Sequence, residues 1–160
     1  MTTNELTTPL FCLVQEGVGL LLGTVGPDGS PRGTRAWGIR IVEDRLRVTF
    51  GADDPQVVAN ARDGVVAVTG ADVRRLRSAQ VKGTVVRLVE ADAEDMAAVE
   101  EQSELFFQAI HETDLDEIDV LRRMLPVRMM ALEMSVAEVY DQTPGPRAGL
   151  MITASTVEDG

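Results

Sequence analysis

The sequence predicts a mainly β protein of the α+β class, a six-stranded antiparallel barrel with short helices between strands. Three observations carry this. Apolar or alternating segments of strand length recur along the 160 residues. Most are separated by dense turn signals, which join antiparallel neighbours. Six strands of this length can close on themselves and remove the edges that an open sheet would expose.

The elements follow in order. Thr8-Pro9 pairs an N-cap with proline at the first helical position, so a short helix is expected over Pro9–Glu16 with Gly17 as its stop. Val18–Val25 is apolar and β-prone, and Gly26-Pro27-Asp28-Gly29-Ser30-Pro31 is a turn. Arg32–Val42 then returns as the second strand of a hairpin, and Glu43-Asp44 turns the chain again. Arg45–Phe50 alternates, with Leu46, Val48 and Phe50 on one face. Asp54-Pro55 opens a short helix to about Arg62, and Gly64–Gly70 reads as a buried strand. Ser78–Val89 is a long strand. Asp92 caps a helix to about Ile110, with Met96, Val99, Phe106 and Ile110 near one stripe. A second short helix covers roughly 116–124, Val127–Tyr140 is the last strand, and 143–160 is a polar tail after a domain spanning 1–142.

Composition narrows the function. A net charge of −11 argues against nucleic acid and anionic membrane as partners. No apolar run is long enough to span a bilayer and no charged-then-apolar leader opens the sequence, so the expected setting is soluble and cytoplasmic. Cys12 is the only cysteine and His111 the only histidine, which excludes an intrachain disulfide, a cysteine-based zinc site and a multi-histidine metal site. No metal site is expected.

The charge is uneven. Arg32–Arg87 holds 11 basic and 6 acidic residues, whereas Glu90–Asp119 holds 12 acidic residues and no Lys or Arg. The acidic segment reads as a solvated helical face, and the basic one suits a pocket for a small anion. In the second strand, strict alternation puts Arg35, Trp37, Ile39 and Ile41 on one face and Arg32, Thr34, Ala36, Gly38 and Arg40 on the other. The small centre of the latter leaves a shallow groove for a flat ring; the plainer reading has Trp37 in the core and the arginines solvated. Ser78, Gln80 and Lys82, the only lysine, form a polar face at the start of the long strand. That face fits either a polar ligand or simple exposure to water. The last strand is apolar on both faces at Met129-Met130, Leu132 and Met134. One face lines the core, and the other meets a subunit interface or the 92–110 helix.

The segments GTVGPDGSPRGTRAWGIRI, RLRVTF, ANARDGVVAVT and RSAQVKGTVVRLVE, taken in order, resemble the pyridoxamine 5′-phosphate oxidase-like family of FMN-binding split β-barrels. The likeness runs from about Leu6 to Tyr140. It implies a homodimer with FMN in clefts at the subunit interface. Arg35, Ala36 and Trp37 would line the flavin and ribityl chain, and Thr49 would sit near the phosphate. Arg77, Ser78 and Gln80 would reach the cofactor from the partner subunit. The activity implied is a flavin-dependent oxidoreductase acting on a small-molecule substrate, with catalytic residues unassigned.

Two departures from the family pattern matter. Members that hold FMN tightly place Arg or Lys at the turn before the short helix, where this chain has Asp53-Asp54-Pro55. Arg74, Arg75 or Arg77 are the candidates to compensate. The C-terminal region has Arg128 and Arg147 but none of the histidine that grips a substrate phosphate, so pyridoxamine phosphate oxidation itself is not expected. The alternatives are a non-catalytic small-molecule-binding or regulatory dimer with weak or no FMN binding, or a split barrel holding deazaflavin or haem. His111 is the only histidine available for haem.

Overall fold

A computed structural model describes residues 10–152 apart from Cys12. Thr8, Pro9 and the end of the tail lie outside the described residues. Leu10, Phe11, Leu13 and Val14 are helical, and Gly17, at φ +77°, stops the turn as expected. The elements that follow are β1 (Gly19–Val25), β2 (Pro31–Val42), β3 (Arg45–Gly51), α1 (Pro55–Asn60), β4 (Val65–Ala71), β5 (Ser78–Glu90), α2 (Ala93–Asp114), α3 (Ile118–Arg122) and β6 (Met129–Asp141).

The six strands close in the order β1-β2-β3-β6-β5-β4, every pair antiparallel. Local chemistry makes the connections. Asp28 Oδ1 accepts from the Ser30 backbone and hydroxyl in the first hairpin turn, where Gly29 supplies φ +81°. Asp54 caps α1 by accepting from the Gln56 and Val57 amides. Asp92 and Asp95 cap α2 reciprocally, each side chain accepting the other's backbone N–H.

The barrel interior is aliphatic apart from Phe50, as the low aromatic content predicts. Leu22, Ile39, Leu46, Val48, Phe50, Val68, Val81, Leu132 and Met134 are all buried there, each worth roughly 1.5–3 kcal/mol over leaving the side chain exposed. A second cluster, Trp37, Val99, Phe106, Phe107, Leu121 and Met129, lies outside the barrel wall, under α2 and α3.

Strict alternation fails in β2. Ala36 pairs with Phe50 and Gly38 with Thr49, so Trp37 is the extra residue of a β-bulge. Ala36 and Ile39 therefore both join the interior, while Trp37 joins the outer cluster. The expected groove over Thr34, Ala36 and Gly38 does not exist. A Cβ on Gly38 would stand 2.9 Å from Val99 Cγ2, so α2 already fills that space. β1 pairs with β2 only as far as Leu20–Ala36. Beyond that point the free β2 edge is closed by Gln102 of α2, which accepts from Ile39 N at 2.8 Å and donates to Ile39 O at 2.8 Å.

Two further expectations change. Val99, Phe106, Phe107 and Ala109 are the buried apolar residues of α2, while Met96 is 41% exposed. On β6, Leu132 and Met134 line the interior and Met129 packs in the α2 cluster, so the strand's second apolar face is covered within the chain. Residues 143–152 turn back on β6, with Ile152 N donating to Val139 O at 2.7 Å.

Candidate functional site

The arginines of the second and third strands have definite partners. Arg40 and Arg47 face each other across β2 and β3 and converge on the start of α2. Arg40 Nε donates to Asp95 at 2.9 Å; Arg47 donates to Asp95 through Nε at 2.8 Å and Nη2 at 2.6 Å, and to Glu133 at 2.6 Å. Arg47 is 5% exposed and the Asp95 side chain 0%. Burial pushes the Asp95 carboxyl up, but hydrogen bonds from Arg47, the Asp92 amide and Arg40 outweigh it and hold the pKa at about 2. This is a structural clamp for α2. Arg32 pairs with Asp54 at 3.1 Å.

Arg35 is different. Among the described residues it forms no ion pair. Its guanidinium lies 5.8 Å from the Trp37 ring centre and 5.5 Å from that of Phe106. Lys82, likewise without an ion pair among the described residues, sits 4.5 Å over the Tyr140 ring.

Register places these two cations on one surface. One outward row runs Arg35–Leu21–Thr69–Gln80–Tyr140 across five strands; the next runs Gly33–Gly23–Ala67–Lys82–Glu138. Arg35 and Lys82 are three strand spacings apart in the hydrogen-bonding direction, about 14 Å. Between them lies a groove in two adjoining parts of about 410 Å³ and 600 Å³, which share a floor of Gly23, Gly33 and Ala67. A Cβ on Gly33 would come no nearer than 3.9 Å to Leu22 O, and one on Gly23 no nearer than 3.7 Å to Ala67 O, so the floor is low and open. Leu21, Val25 and Val65, 55%, 48% and 60% exposed, give it an apolar border. Thr69 Oγ1 accepts from Gln80 Nε2 at 2.8 Å within it.

Of the residues expected at the site, Arg35 and Gln80 line this groove together on one chain. Ala36 faces the barrel interior and Trp37 packs edge-on against Phe107 at 6.0 Å. Thr49, 2% exposed, pairs with Gly38 on the wall under α2. Arg77 binds Glu16, and the Ser78 backbone is held by Gln142 and Thr143. Arg74 and Arg75 are taken up by Glu112 and Glu16. His111 ends α2 with Nδ1 2.8 Å from Asp116 O, outside the groove. Sequence reasoning missed Gly23, Gly33 and Ala67 as a floor. Their signal is two glycines placed to pair across the first hairpin. Lys82 stood out as the lone lysine, but its position opposite Arg35 needed the register.

The N-terminus of α1 does not fit a phosphate. Asp54 already occupies its free amides and is paired with Arg32; those amides, before Arg32, hold the Asp54 carboxyl below its ordinary value. The groove does fit a flat anionic ligand, since two cations without ion pairs among the described residues flank a floor of two glycines and an alanine.

No protein-family model matches the sequence, and no curated protein matches it. Solved structures do. A Clostridium acetobutylicum protein related to general stress protein 26 of B. subtilis, of the pyridoxinephosphate oxidase family, aligns with a TM-score of 0.55 at 11% identity, over 98% of this chain and 99% of that one. The fold is the split β-barrel of the pyridoxamine 5′-phosphate oxidase-like proteins. An F420 reductase aligns with a TM-score of 0.52 at 20% identity, over 80% of this chain and 93% of that one. HupZ of Group A Streptococcus aligns at 0.50 and 20% identity, over 93% and 100%. No described helix is long and apolar enough to cross a membrane.

Proposed function

We propose that this split-barrel chain binds a flavin-type cofactor, FMN in the first instance, in the open-face groove. In this reading it works as an oxidoreductase on a small-molecule substrate, as a homodimer and in the cytoplasm. The observation that carries the proposal is the pairing of Arg35 and Lys82, the two barrel-wall cations without carboxylate partners among the described residues, at opposite ends of a glycine-floored groove. When bound, the flavin supplies the electron-accepting ring. The protein's part is binding and orientation. Gly23, Gly33 and Ala67 admit the plane, Thr69 and Gln80 offer hydrogen bonds, and Arg35 and Lys82 each give a charge-assisted bond at their own end of the groove, one to the phosphate and the other to a ring carbonyl. Trp37 and Phe106 hold Arg35 in place, with Ala36 and Thr49 setting the wall behind. Arg77 and Ser78 fix the start of β5. The exposed apolar border of Leu21, Val25 and Val65 is where a second copy would close the site.

The F420 reductase among the similar structures widens the same reading to a deazaflavin. The test is to load the purified protein with FMN, remove excess by gel filtration and record the visible spectrum. A retained flavin spectrum supports the reading, and a colourless protein counts against it.

A second reading, a binding or regulatory dimer with weak or no FMN, rests on Asp54 filling the α1 N-terminus. If Asp53→Arg with Asp54→Lys creates flavin binding that the parent lacks, that reading is preferred.

A further inference from the structure

A second concavity lies away from the groove, between α2, α3 and the start of β6. Its volume is about 930 Å³, within the range of small-molecule sites. The floor is Val99, Phe107 and Met129, all under 9% exposed, and Leu125 and Pro126 form one wall. Met96, exposed on the helix where a core residue was expected, borders it.

The polar groups define what fits. Arg122 is held by two carboxylates, giving Nε and Nη2 to Glu104 at 3.1 and 2.8 Å and Nη1 to Asp119 at 2.8 Å. That strap ties α3 to α2 and sets the Arg122 charge against the carboxylates of Glu104 and Asp119. Glu100, one helical turn before Glu104, lines the same cleft with no ion pair among the described residues. Ser103, 4% exposed, sits in the floor. Its hydroxyl donates to Glu100 O at 3.4 Å and accepts nothing among the described residues. The unused side-chain functions that α2 presents to the cleft, the Glu100 carboxylate and the Ser103 lone pairs, are therefore acceptors, beside apolar walls and on a helix segment rich in carboxylates.

We infer that this cleft binds an amphipathic organic cation, its apolar body on Val99, Phe107 and Met129 and its ammonium donating to Glu100 and Ser103. The inference does not depend on the flavin reading. Phe107 links the cleft to Trp37, the only tryptophan, which makes emission a direct reporter.

The experiment titrates the protein with 4-phenylbutylammonium, 4-phenylbutanol and 4-phenylbutyrate, following Trp37 emission. Saturable binding of the amine, with the carboxylate weaker by about tenfold, is expected, since attraction by a surface charge turns to repulsion. Glu100→Gln, at an exposed position, should weaken the amine by about threefold and leave the alcohol unchanged. Ala97→Phe, which fills the cleft mouth, should weaken all three. Equal affinity for amine and carboxylate, no saturable response to the amine, or no effect of Glu100→Gln on amine binding would each overturn the inference.

Discussion

Arg40 and Arg47 stand opposite each other on adjacent strands, and both close on the one carboxylate of Asp95 at the start of α2. This relationship explains two of the five arginines that an acidic protein places on its second and third strands. The helix most loaded with carboxylates is held to the barrel by the buried guanidinium of Arg47 and the half-buried one of Arg40, and arginine suits this role because its fork binds a carboxylate through two parallel donors.

Arg47→Ala should be among the most damaging single changes. It leaves Asp95 and Glu133 buried without their main partner, at a cost of about 3–5 kcal/mol. For a chain of this length the melting temperature should fall by about 10 °C. Arg47→Met combined with Asp95→Leu and Glu133→Leu removes the three buried charges together, leaves Arg40 its partners Asp92 and Glu94, and should recover part of the loss. Thermal denaturation of both variants checks this.

The clamp also sets an acid limit. Asp95 is held at about 2, below its ordinary 3.8, so its contribution is complete above about pH 4 and is lost as the pH falls toward 2. Glu104 and Glu112, lowered by Arg122 and Arg74, contribute in the same direction. Melting temperature measured from pH 7 down to pH 2 should drop steeply at the acid end, and Asp95→Asn, already destabilised at pH 7, should show a shallower drop.

Gly38 is where α2 touches the wall most closely. Gly38→Ala would put a methyl group 2.9 Å from Val99 Cγ2 and 3.1 Å from Val99 N, forcing the helix outward. A loss of about 1–3 kcal/mol is expected, as for other overpacked sites. Trp37 emission should shift to the red as its cover loosens, and an unchanged spectrum and melting temperature would show that the contact is not tight.

Much of the fold was legible in the sequence because its signals are local. The Gly26–Pro31 turn, the Asp54-Pro55 and Asp92 caps and the alternation in Arg45–Phe50 each involve residues within a few positions of one another. The bulge at Trp37 was not legible, because a period-two reading has no mark for an extra residue, and that one residue moved Ile39 to the interior while Trp37 stayed outside. The partners of Arg40 and Arg47 lie on a helix about half a hundred positions on and are visible only once register is known. The same is true of Arg35 and Lys82. Each is distinctive alone, but only the strand order β2-β1-β4-β5 puts them across one groove.

The border of that groove predicts assembly. Leu21→Glu with Val65→Lys places charges on exposed apolar positions, so the folded chain should tolerate them at little cost. If a second copy covers this face, the pair should shift the molecular mass by light scattering from dimer to monomer and lower FMN affinity with it. A dimer that survives both substitutions would place its interface elsewhere.

The most direct test of the central claim is an equilibrium FMN titration of the parent against Arg35→Ala with Lys82→Ala. Both cations are on the outer face and lack ion pairs among the described residues, so the double variant should keep its fold and its circular dichroism. Losing two charge-assisted contacts, each worth about 1.5–3 kcal/mol, should weaken FMN binding at least a hundredfold. A parent that binds FMN and a double variant that binds it equally well would show that the cofactor does not occupy the groove between Arg35 and Lys82.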